Sequence, residues 1–261
     1  MAELPPLTFS LAPPVNRLMS AVPLYLQIAE GLLGQIEAGE LAPGTRLPAE
    51  RQLAGQLGVN RVTLRRALRV LEGQGLISRK QGRGTHVAQP RIDRQASQII
   101  SFTRGMQRRG FTPGARLVSI EQRPVEAYLA GELRLPLWAP VYVVLRVRTL
   151  NQEPVLLERY TLPQRRFPGL ERLNLEQGSV FDLLAREYGV QICRARQSLE
   201  PMLAMEYEAS LLDVEPGAPL MLERRISYDR DGQPVEAGRD LYRGDRFRFV
   251  TETAAPETAP S

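Results

Sequence analysis

The sequence has very few of the residues on which disulfide, zinc and Schiff-base chemistry depend. Its 261 residues include one cysteine, Cys193, and one histidine, His86. An intrachain disulfide, a Cys/His zinc cluster and a Ser-His-Asp triad of the usual geometry are therefore excluded. A pyridoxal enzyme needs a lysine for its Schiff base, and Lys80, the only lysine among 34 basic residues, lies in a predicted basic hairpin, so a fused aminotransferase is excluded. We predict no metal, no cofactor and a reducing compartment.

Long apolar runs are also missing. No stretch approaches about 18 uninterrupted apolar residues, and the N-terminus shows neither a basic leader nor a signal-peptide core. We therefore expect a soluble, cytoplasmic protein with no membrane partner.

Length and composition favour two globular domains. Apolar residues make up 43% of the chain, which is enough for a core in each domain. The net charge is +5, and most of this excess lies between residues 21 and 88. We predict a tail at 1–20, a first domain at 21–88, a linker at 89–97, a second domain at 98–250 and a tail at 251–261.

A basic amphipathic helix is the strongest local signal. Asn60 is a good N-cap and Gly73 ends the periodic run, so a helix of about 13 residues is predicted. One arc of this helix is apolar and consists of Leu64, Ala67, Leu68 and Leu71. The opposite arc is basic and consists of Arg61, Arg65, Arg66 and Arg69. Such a face could be merely solvated, or it could contact phosphate in a major groove.

The residues around this helix favour the second interpretation. Leu24 to Gly39 and Ala49 to Leu57 show helical spacing, and Arg51 faces outward in the second of these helices. Two short strands, 76–79 and 85–87, follow the basic helix and are joined by a glycine-containing basic turn. Three helices and a basic hairpin predict a winged helix-turn-helix domain.

The second half alternates extended and helical runs and contains a weak internal repeat at an offset of 79 residues. Each copy runs helix, strand, turn and strand, which predicts an antiparallel sheet with flanking helices and an α+β fold. A turn near Gln152 would place Arg146 opposite Glu158, with Arg148 on the same face. Taken alone, these charges could form a surface ion pair or part of a ligand site.

The first domain resembles the GntR family of winged-helix transcription regulators through PLYLQIAEGLLGQIEAG, PGTRLPAERQLAGQLGVNRVTLRRAL and GLISRKQGRGTHV. The resemblance implies DNA contacts at Arg51, Arg61, Thr63, Arg65, Gln81, Gly82 and Arg83. Asn60 stands where the family usually has serine, so we add its amide, and we add Arg66 from the basic arc. Ala49 also replaces a usual serine and removes a cap oxygen.

The second domain resembles the UTRA effector domain of the HutC-like branch through SFTRGMQRRGFTPGARL, EPVLLERYTLP, FPGL, ARQSLE and LYRGDRFRF. The resemblance implies a chorismate lyase-like fold and effector contacts at Arg146, Arg148, Glu158, Ser179, Phe181, Glu236 and Tyr242. Ser179 precedes a predicted helix, whose N-terminus would attract an anion. Phe181 replaces a frequent tyrosine and TRGM replaces a usual acidic pair, so the effector could differ from those of related proteins.

Three functions follow from these patterns. The first is a homodimeric repressor that binds a palindromic DNA operator and is released by a small anionic metabolite, such as a sugar phosphate or a carboxylate. The second keeps DNA binding but makes the second domain a dimerisation module. The third is a chorismate lyase-like enzyme, which a preceding winged helix makes hard to explain. We expect that the protein is not an enzyme.

Overall fold

The structure is a computed structural model and describes residues 22–80, 84–96 and 101–253. It contains two compact units, one ending at Arg91 and one beginning at Ile92. The predicted tail at 1–20 and most of that at 251–261 lie outside the described residues. None of the helices in the described part of the chain is long and apolar enough to cross a membrane.

The first unit has three helices followed by two antiparallel strands. Its elements are α1 (Leu24–Glu37), α2 (Glu50–Gln56), α3 (Arg61–Gly73), β1 (Ile77–Lys80) and β2 (Gly84–Val87). The predicted apolar arc of α3 is fully buried and packs in one core with residues of α1, α2 and both strands. The predicted winged helix-turn-helix is therefore observed.

The second unit contains four helices and eight strands among the described residues. The elements are β3 (Ile92–Gln95), α4 (Phe102–Gln107), β4 (Pro113–Pro124), α5 (Ala127–Glu132), β5 (Pro140–Leu150), β6 (Glu153–Pro163), α6 (Val180–Tyr188), β7 (Arg194–Leu203), α7 (Glu206–Leu212), β8 (Pro219–Tyr228), β9 (Pro234–Arg243) and β10 (Phe247–Val250). Six of the strands form an antiparallel sheet in the order β4-β5-β6-β9-β8-β7. This is the predicted α+β fold.

The predicted linker at 89–97 is wrong for residues 92–95. These residues form β3, which pairs in parallel with β10 at the other end of the second unit. Ile92 is buried in a core cluster with Phe247, so the strand is held by packing as well as by its backbone. The polar sequence of this stretch hid the strand because its pairing partner lies more than 150 residues away.

The internal repeat corresponds to two copies of one structural unit. Helix α5 precedes the hairpin β5-β6, and α7 precedes the hairpin β8-β9. The two hairpins meet through antiparallel pairing of β6 with β9, at the centre of the sheet. Equivalent residues of the two copies therefore lie on either side of this central strand pair.

The sheet has two differently covered faces, because side chains alternate along each strand. Tyr142 and Val144 of β5 pack with α6 on one face, which we call the first face. Val141 and Val143 pack with α5, and Leu145 packs with α7, on the second face. Arg146, two residues after Val144, therefore belongs to the first face.

Candidate functional site

Helix α3 presents its arginines to solvent, as predicted. Arg61, Arg65, Arg66 and Arg69 are all exposed, whereas the leucines of the opposite arc are buried. The Oδ1 atom of Asn60 accepts a 2.7 Å hydrogen bond from the backbone nitrogen of Thr63, which confirms the predicted N-cap. The helix therefore holds its basic face in a fixed orientation around a rigid apolar core.

One arginine of this face is positioned by the neighbouring helix. The Nε atom of Arg65 lies 2.6 Å from Oε2 of Glu50, the first residue of α2. Glu50 also lies 3.7 Å from Nη1 of Arg79 on β1. Arg51 is exposed beside Glu50, and neither Arg51 nor Arg61 forms an ion pair with a described residue. The basic surface of this unit thus combines the oriented guanidinium of Arg65 with the guanidinium groups of Arg51 and Arg61, which form no ion pair with a described residue.

Two further expectations concern this unit. Ala49 precedes α2 without any side-chain cap, as its methyl group requires. The predicted wing contacts Gln81, Gly82 and Arg83 lie outside the described residues, although β1 and β2 flank them as predicted.

The predicted ion pair on the first face of the sheet exists and is buried. Arg146 and Glu158 lie directly opposite each other on β5 and β6, and Arg146 Nη2 donates a 2.6 Å hydrogen bond to Glu158 Oε2. Arg148 Nη1 lies 3.5 Å from both carboxylate oxygens of Glu158. All three side chains are at most 4% exposed, so the interpretation as a surface ion pair is wrong.

The second arginine of this pair also contacts α4. Arg148 Nη2 donates a 2.8 Å hydrogen bond to Thr103 Oγ1, and its guanidinium lies 4.7 Å from the centre of the Phe102 ring. Thr103 was not among the predicted contacts. It lies in the TRGM segment at 103–106, and the departure of this segment from the family pattern could have pointed to a contact here.

A second buried arginine cluster lies beside the first. Arg225 Nε donates a 2.8 Å hydrogen bond to Glu236 Oε1, and Arg225 Nη1 donates a 2.8 Å hydrogen bond to Asp240 Oδ2. Ser227 Oγ donates to the same Glu236 oxygen. Glu236 was predicted as a contact residue, but Arg225, Ser227 and Asp240 were missed. Arg225 is the repeat equivalent of Arg146, so the offset of 79 residues could have identified it.

Aromatic rings join the two clusters into one layer, which we call the charged layer. The guanidinium carbons of Arg146 and Arg225 lie 5.8 Å and 5.7 Å from the centre of the Tyr160 ring. Phe181 packs edge-on against Tyr160 and lies 5.4 Å from the guanidinium of Arg225. The structure thus brings Phe181 to the same place as the predicted arginines.

Ser179 caps the helix that carries Phe181. Its Oγ atom accepts a 3.3 Å hydrogen bond from the backbone nitrogen of Asp182, and Ser179 is buried. The predicted helix N-terminus is therefore present next to the charged layer. In this structure the hydroxyl of Ser179 caps helix α6.

Tyr242 lies in a neighbouring part of the layer, together with β3. The guanidinium carbon of Arg94 lies 5.0 Å from the centre of the Tyr242 ring, and Arg94 Nη2 lies 3.5 Å from Glu223 Oε2. Glu223 in turn lies 3.8 Å from Arg225. Arg94 was not predicted, because its strand was read as a linker.

Burial and neighbouring charges shift the protonation equilibria of this layer. Burial alone would raise the pKa of Glu158, but Arg148 and Arg146 lower it to about 2. Burial raises the pKa of Asp240 to about 7, with Glu158 and Glu223 adding to the rise and Arg225 opposing it. Arg225 is shared by Asp240, Glu236 and Glu223, so its charge compensates Asp240 only in part.

Several buried polar atoms of the charged layer have no hydrogen-bond partner among the described residues. They are Arg146 Nε, Arg225 Nη2, Glu223 Oε2, Glu236 Oε2 and Asp240 Oδ1. Buried donors and acceptors are normally paired, because leaving one unpaired costs about 1–3 kcal/mol. The layer therefore offers both donors and acceptors to a bound molecule. The described residues contain no group of three or more His, Cys, Asp or Glu that could hold a metal ion.

Comparison with known proteins gives two family matches, which together span most of the chain. Residues 24–87 match the model described as bacterial regulatory proteins, gntR family, and residues 108–248 match the UTRA domain. The HTH-type transcriptional repressor NagR of Bacillus subtilis is 38% identical over 88% of this chain and 95% of its own length. The HTH-type transcriptional repressor PhnF of Mycolicibacterium smegmatis is 36% identical over 83% of this chain and 87% of its own length.

The fold agrees with these matches. The crystal structure of PhnF from Mycobacterium smegmatis superposes with a TM-score of 0.62 at 33% identity, and covers 89% of this chain and 100% of that one. Both domains of the sequence-based prediction are thus found in the expected order. The chain therefore belongs to the GntR family of bacterial regulatory proteins and carries a UTRA domain behind its winged helix.

Proposed function

We propose that this protein is a homodimeric, metabolite-responsive repressor that binds a palindromic operator and is released by a small anionic effector. The family match, the exposed basic face of α3 and the repressor names of its relatives support DNA binding and repression. A two-fold dimer would be mirrored by two half-sites in the operator.

On the DNA side, we assign base reading to Arg61 and Arg65. An arginine can pair with guanine O6 and N7 at once, and each such pair contributes about 1–3 kcal/mol of discrimination. Glu50 holds the guanidinium of Arg65 in one orientation, which suits it to a directional contact. Arg51, Asn60, Thr63, Arg66 and the wing residues Gln81, Gly82 and Arg83 would mainly fix the register on phosphate.

On the effector side, the unpaired buried atoms of the charged layer carry the proposal. Two are guanidinium nitrogens and three are carboxylate oxygens, one each in Glu223, Glu236 and Asp240. The guanidinium nitrogens can donate hydrogen bonds to an anionic group, and the carboxylate oxygens can accept hydrogen bonds from hydroxyl groups. A phosphorylated or carboxylated polyol carries both kinds of group. Such a ligand would compete with Glu158 for Arg146 and Arg148, with Thr103, Ser179, Phe181 and Tyr242 completing the site.

Strand β3 gives the effector site a route to the first unit. Arg94 contacts Glu223 and Tyr242 of the charged layer, and it lies three residues after the last residue of the first unit. A ligand that repels or neutralises Glu223 would weaken its ion pair with Arg94. For release of DNA, the ligand must bind one domain arrangement better than the other, since equal affinity shifts nothing.

The proposal is tested with a fragment of the upstream promoter and a random duplex of equal length at moderate ionic strength. We expect preference for the promoter fragment, and release by one member of a panel of sugar phosphates and hydroxycarboxylates. Arg146→Ala and Arg148→Ala should keep operator binding and lose release, whereas Arg172→Ala, at an exposed position, should behave like the wild type.

Other outcomes would favour the other two functions. Operator binding without a thermal shift from any metabolite indicates a second domain that only dimerises. Conversion of a metabolite to product would show an enzyme of the chorismate lyase type. Equal affinity for the promoter fragment and the random duplex would refute the repressor.

A further inference from the structure

A row of three arginines crosses the centre of the sheet on its second face. Arg159 of β6 lies opposite Arg239 of β9, and Arg239 lies opposite Arg224 of β8. Side chains directly opposite each other on neighbouring strands have Cβ atoms about 4.5–5.5 Å apart, and like charges in such positions are destabilising. The fold thus holds three positive charges together at the junction of its two repeats.

The charges of this row are poorly compensated within the protein. Arg224 lies 3.3 Å from Glu200, but both side chains are 49% exposed. Arg239 Nη2 lies 4.0 Å from the sulfur of Met202, a thioether without charge, and Arg239 forms no ion pair with a residue that the structure describes. Arg159 forms no ion pair with a described residue, and its Nε atom is buried without a hydrogen-bond partner.

The protonation equilibrium of the central arginine reflects this crowding. Burial lowers the pKa of Arg239, and the neighbouring charges of Arg159 and Arg224 lower it further. Glu208 of α7 and Tyr128 act in the opposite direction, but the net effect is a lowered pKa. An anion placed over the row would relieve this repulsion.

The row forms the floor of a cavity of about 430 Å³ beside α5. Tyr128, Thr161, Gln197 and Ser198 supply hydroxyl and amide groups to its wall. The arginines of its rim are already neutralised, because Arg123 pairs with Glu126 at 3.0 Å and Arg196 pairs with Glu132. The uncompensated charge is thus concentrated at the floor.

We propose that this cavity is a second anion-binding site, which takes a small anion with two or more negative charges, such as a phosphate ester or a polycarboxylate. It is centred on the second face of the sheet and shares none of the predicted effector contacts, although Arg225 of the charged layer also lines it. A second copy of the chain is the less suitable occupant, because a two-fold contact across this face would bring two arginine rows together. The proposal goes beyond the repressor function and does not require it.

The test uses the full chain and pyrophosphate, by isothermal titration calorimetry and thermal denaturation at constant ionic strength. We expect Arg239→Gln or Arg224→Gln to weaken one pyrophosphate-binding event by about tenfold or more, because each removes charge-assisted hydrogen bonds. Arg172→Gln, which is 85% exposed, is the matched control and should bind like the wild type. Arg148→Gln, on the first face, should leave this event in place.

A second readout separates the site from a merely structural role. Without pyrophosphate, Arg239→Gln should be at least as stable as the wild type, because it relieves repulsion between like charges. The proposal is overturned if the wild type binds no pyrophosphate, or if Arg239→Gln and Arg172→Gln bind it equally well. It is also overturned if Arg239→Gln changes only self-association in sedimentation, since the face would then be an interface between copies. Operator binding is not part of this test, so the two proposals fail independently.

Discussion

Arg146 and Glu158 face each other across two central strands and share a 2.6 Å hydrogen bond with almost no access to water. Arg148 approaches the same carboxylate from two residues further along β5. One carboxylate therefore balances two buried guanidinium groups. The stability of the second unit depends on this carboxylate more than on any exposed ion pair.

Glu158→Gln should lower the free energy of unfolding by about 3–5 kcal/mol, because it leaves two buried arginines without their counter-charge. Urea denaturation at neutral pH measures the loss. Glu126→Gln is the control, since Arg123 and Glu126 are 38% and 50% exposed and such pairs contribute less than about 1 kcal/mol. Similar losses in the two variants would contradict the assignment.

Acid should remove the contribution of Glu158 in a defined range. Its pKa is lowered to about 2 in the folded protein from an ordinary value of 4.5. A carboxylate with a depressed pKa stabilises the fold fully above its unfolded pKa, and this contribution is lost as the pH falls from about 4.5 towards 2. Denaturation midpoints measured across this range should fall less steeply for Glu158→Gln than for the wild type.

The contribution of Asp240 to stability should change with pH in the opposite direction to that of Glu158. Its pKa is raised from 3.8 to about 7, so the folded state holds a proton that the unfolded state has released. The stability contributed by this group therefore decreases as the pH rises from about 4 to about 7. The stability of Asp240→Asn relative to the wild type should therefore increase as the pH rises from about 4 to about 7, as urea denaturation at several pH values would measure. A constant difference between the two proteins would show that Asp240 is ionised throughout.

The N-cap of α3 can be tested separately from DNA contact. Asn60→Ala should cost about 1 kcal/mol, because the backbone nitrogen of Thr63 loses its acceptor. Asn60→Ser should retain most of this stability, since serine caps about as well. Thermal denaturation gives the stability, and an operator-binding assay then shows whether the amide also contacts DNA. The assignment of the cap fails if alanine and serine destabilise equally.

Glu50 should affect DNA selectivity through Arg65. Glu50→Gln weakens the 2.6 Å contact that orients this arginine but leaves every basic residue in place. We expect lower preference for the operator over random duplex, with the salt dependence of binding nearly unchanged. Arg66→Ala is the comparison, because loss of a phosphate contact should weaken binding to both duplexes and reduce the salt slope by about one.

The sequence predicted features that depend on local pattern. The arcs of α3, the Asn60 cap and the pairing of Arg146 with Glu158 follow from helical and strand periodicity, and all are observed. The repeat also predicted the two hairpins correctly. These features could be predicted because each involves residues that are close in the chain or separated by a recognisable turn.

Features that depend on distant contacts were missed. Strand β3 forms only because β10 lies beside it, so a polar stretch became part of the second unit. Arg225 and Asp240 lie in the predicted second hairpin, but the pairing of its strand β9 with β6, which places them beside Glu158, was not predicted. Arg94 reaches the charged layer through the pairing of β3 with β10. Arg146 also donates a hydrogen bond to the carbonyl of Leu175, 29 residues away, and strand alternation alone does not reveal such a contact.

Gly238 explains why the two repeats carry different charges. It lies opposite Arg225, in the position where Glu158 lies opposite Arg146. A methyl group at this glycine would come within 2.4 Å of an Arg225 nitrogen, so any larger residue would displace the guanidinium. Duplication alone would have produced two equal salt bridges. The missing side chain instead leaves room for the second arginine to bond with Glu236 and Asp240, which precede and follow the glycine on β9, so the two halves of the charged layer differ.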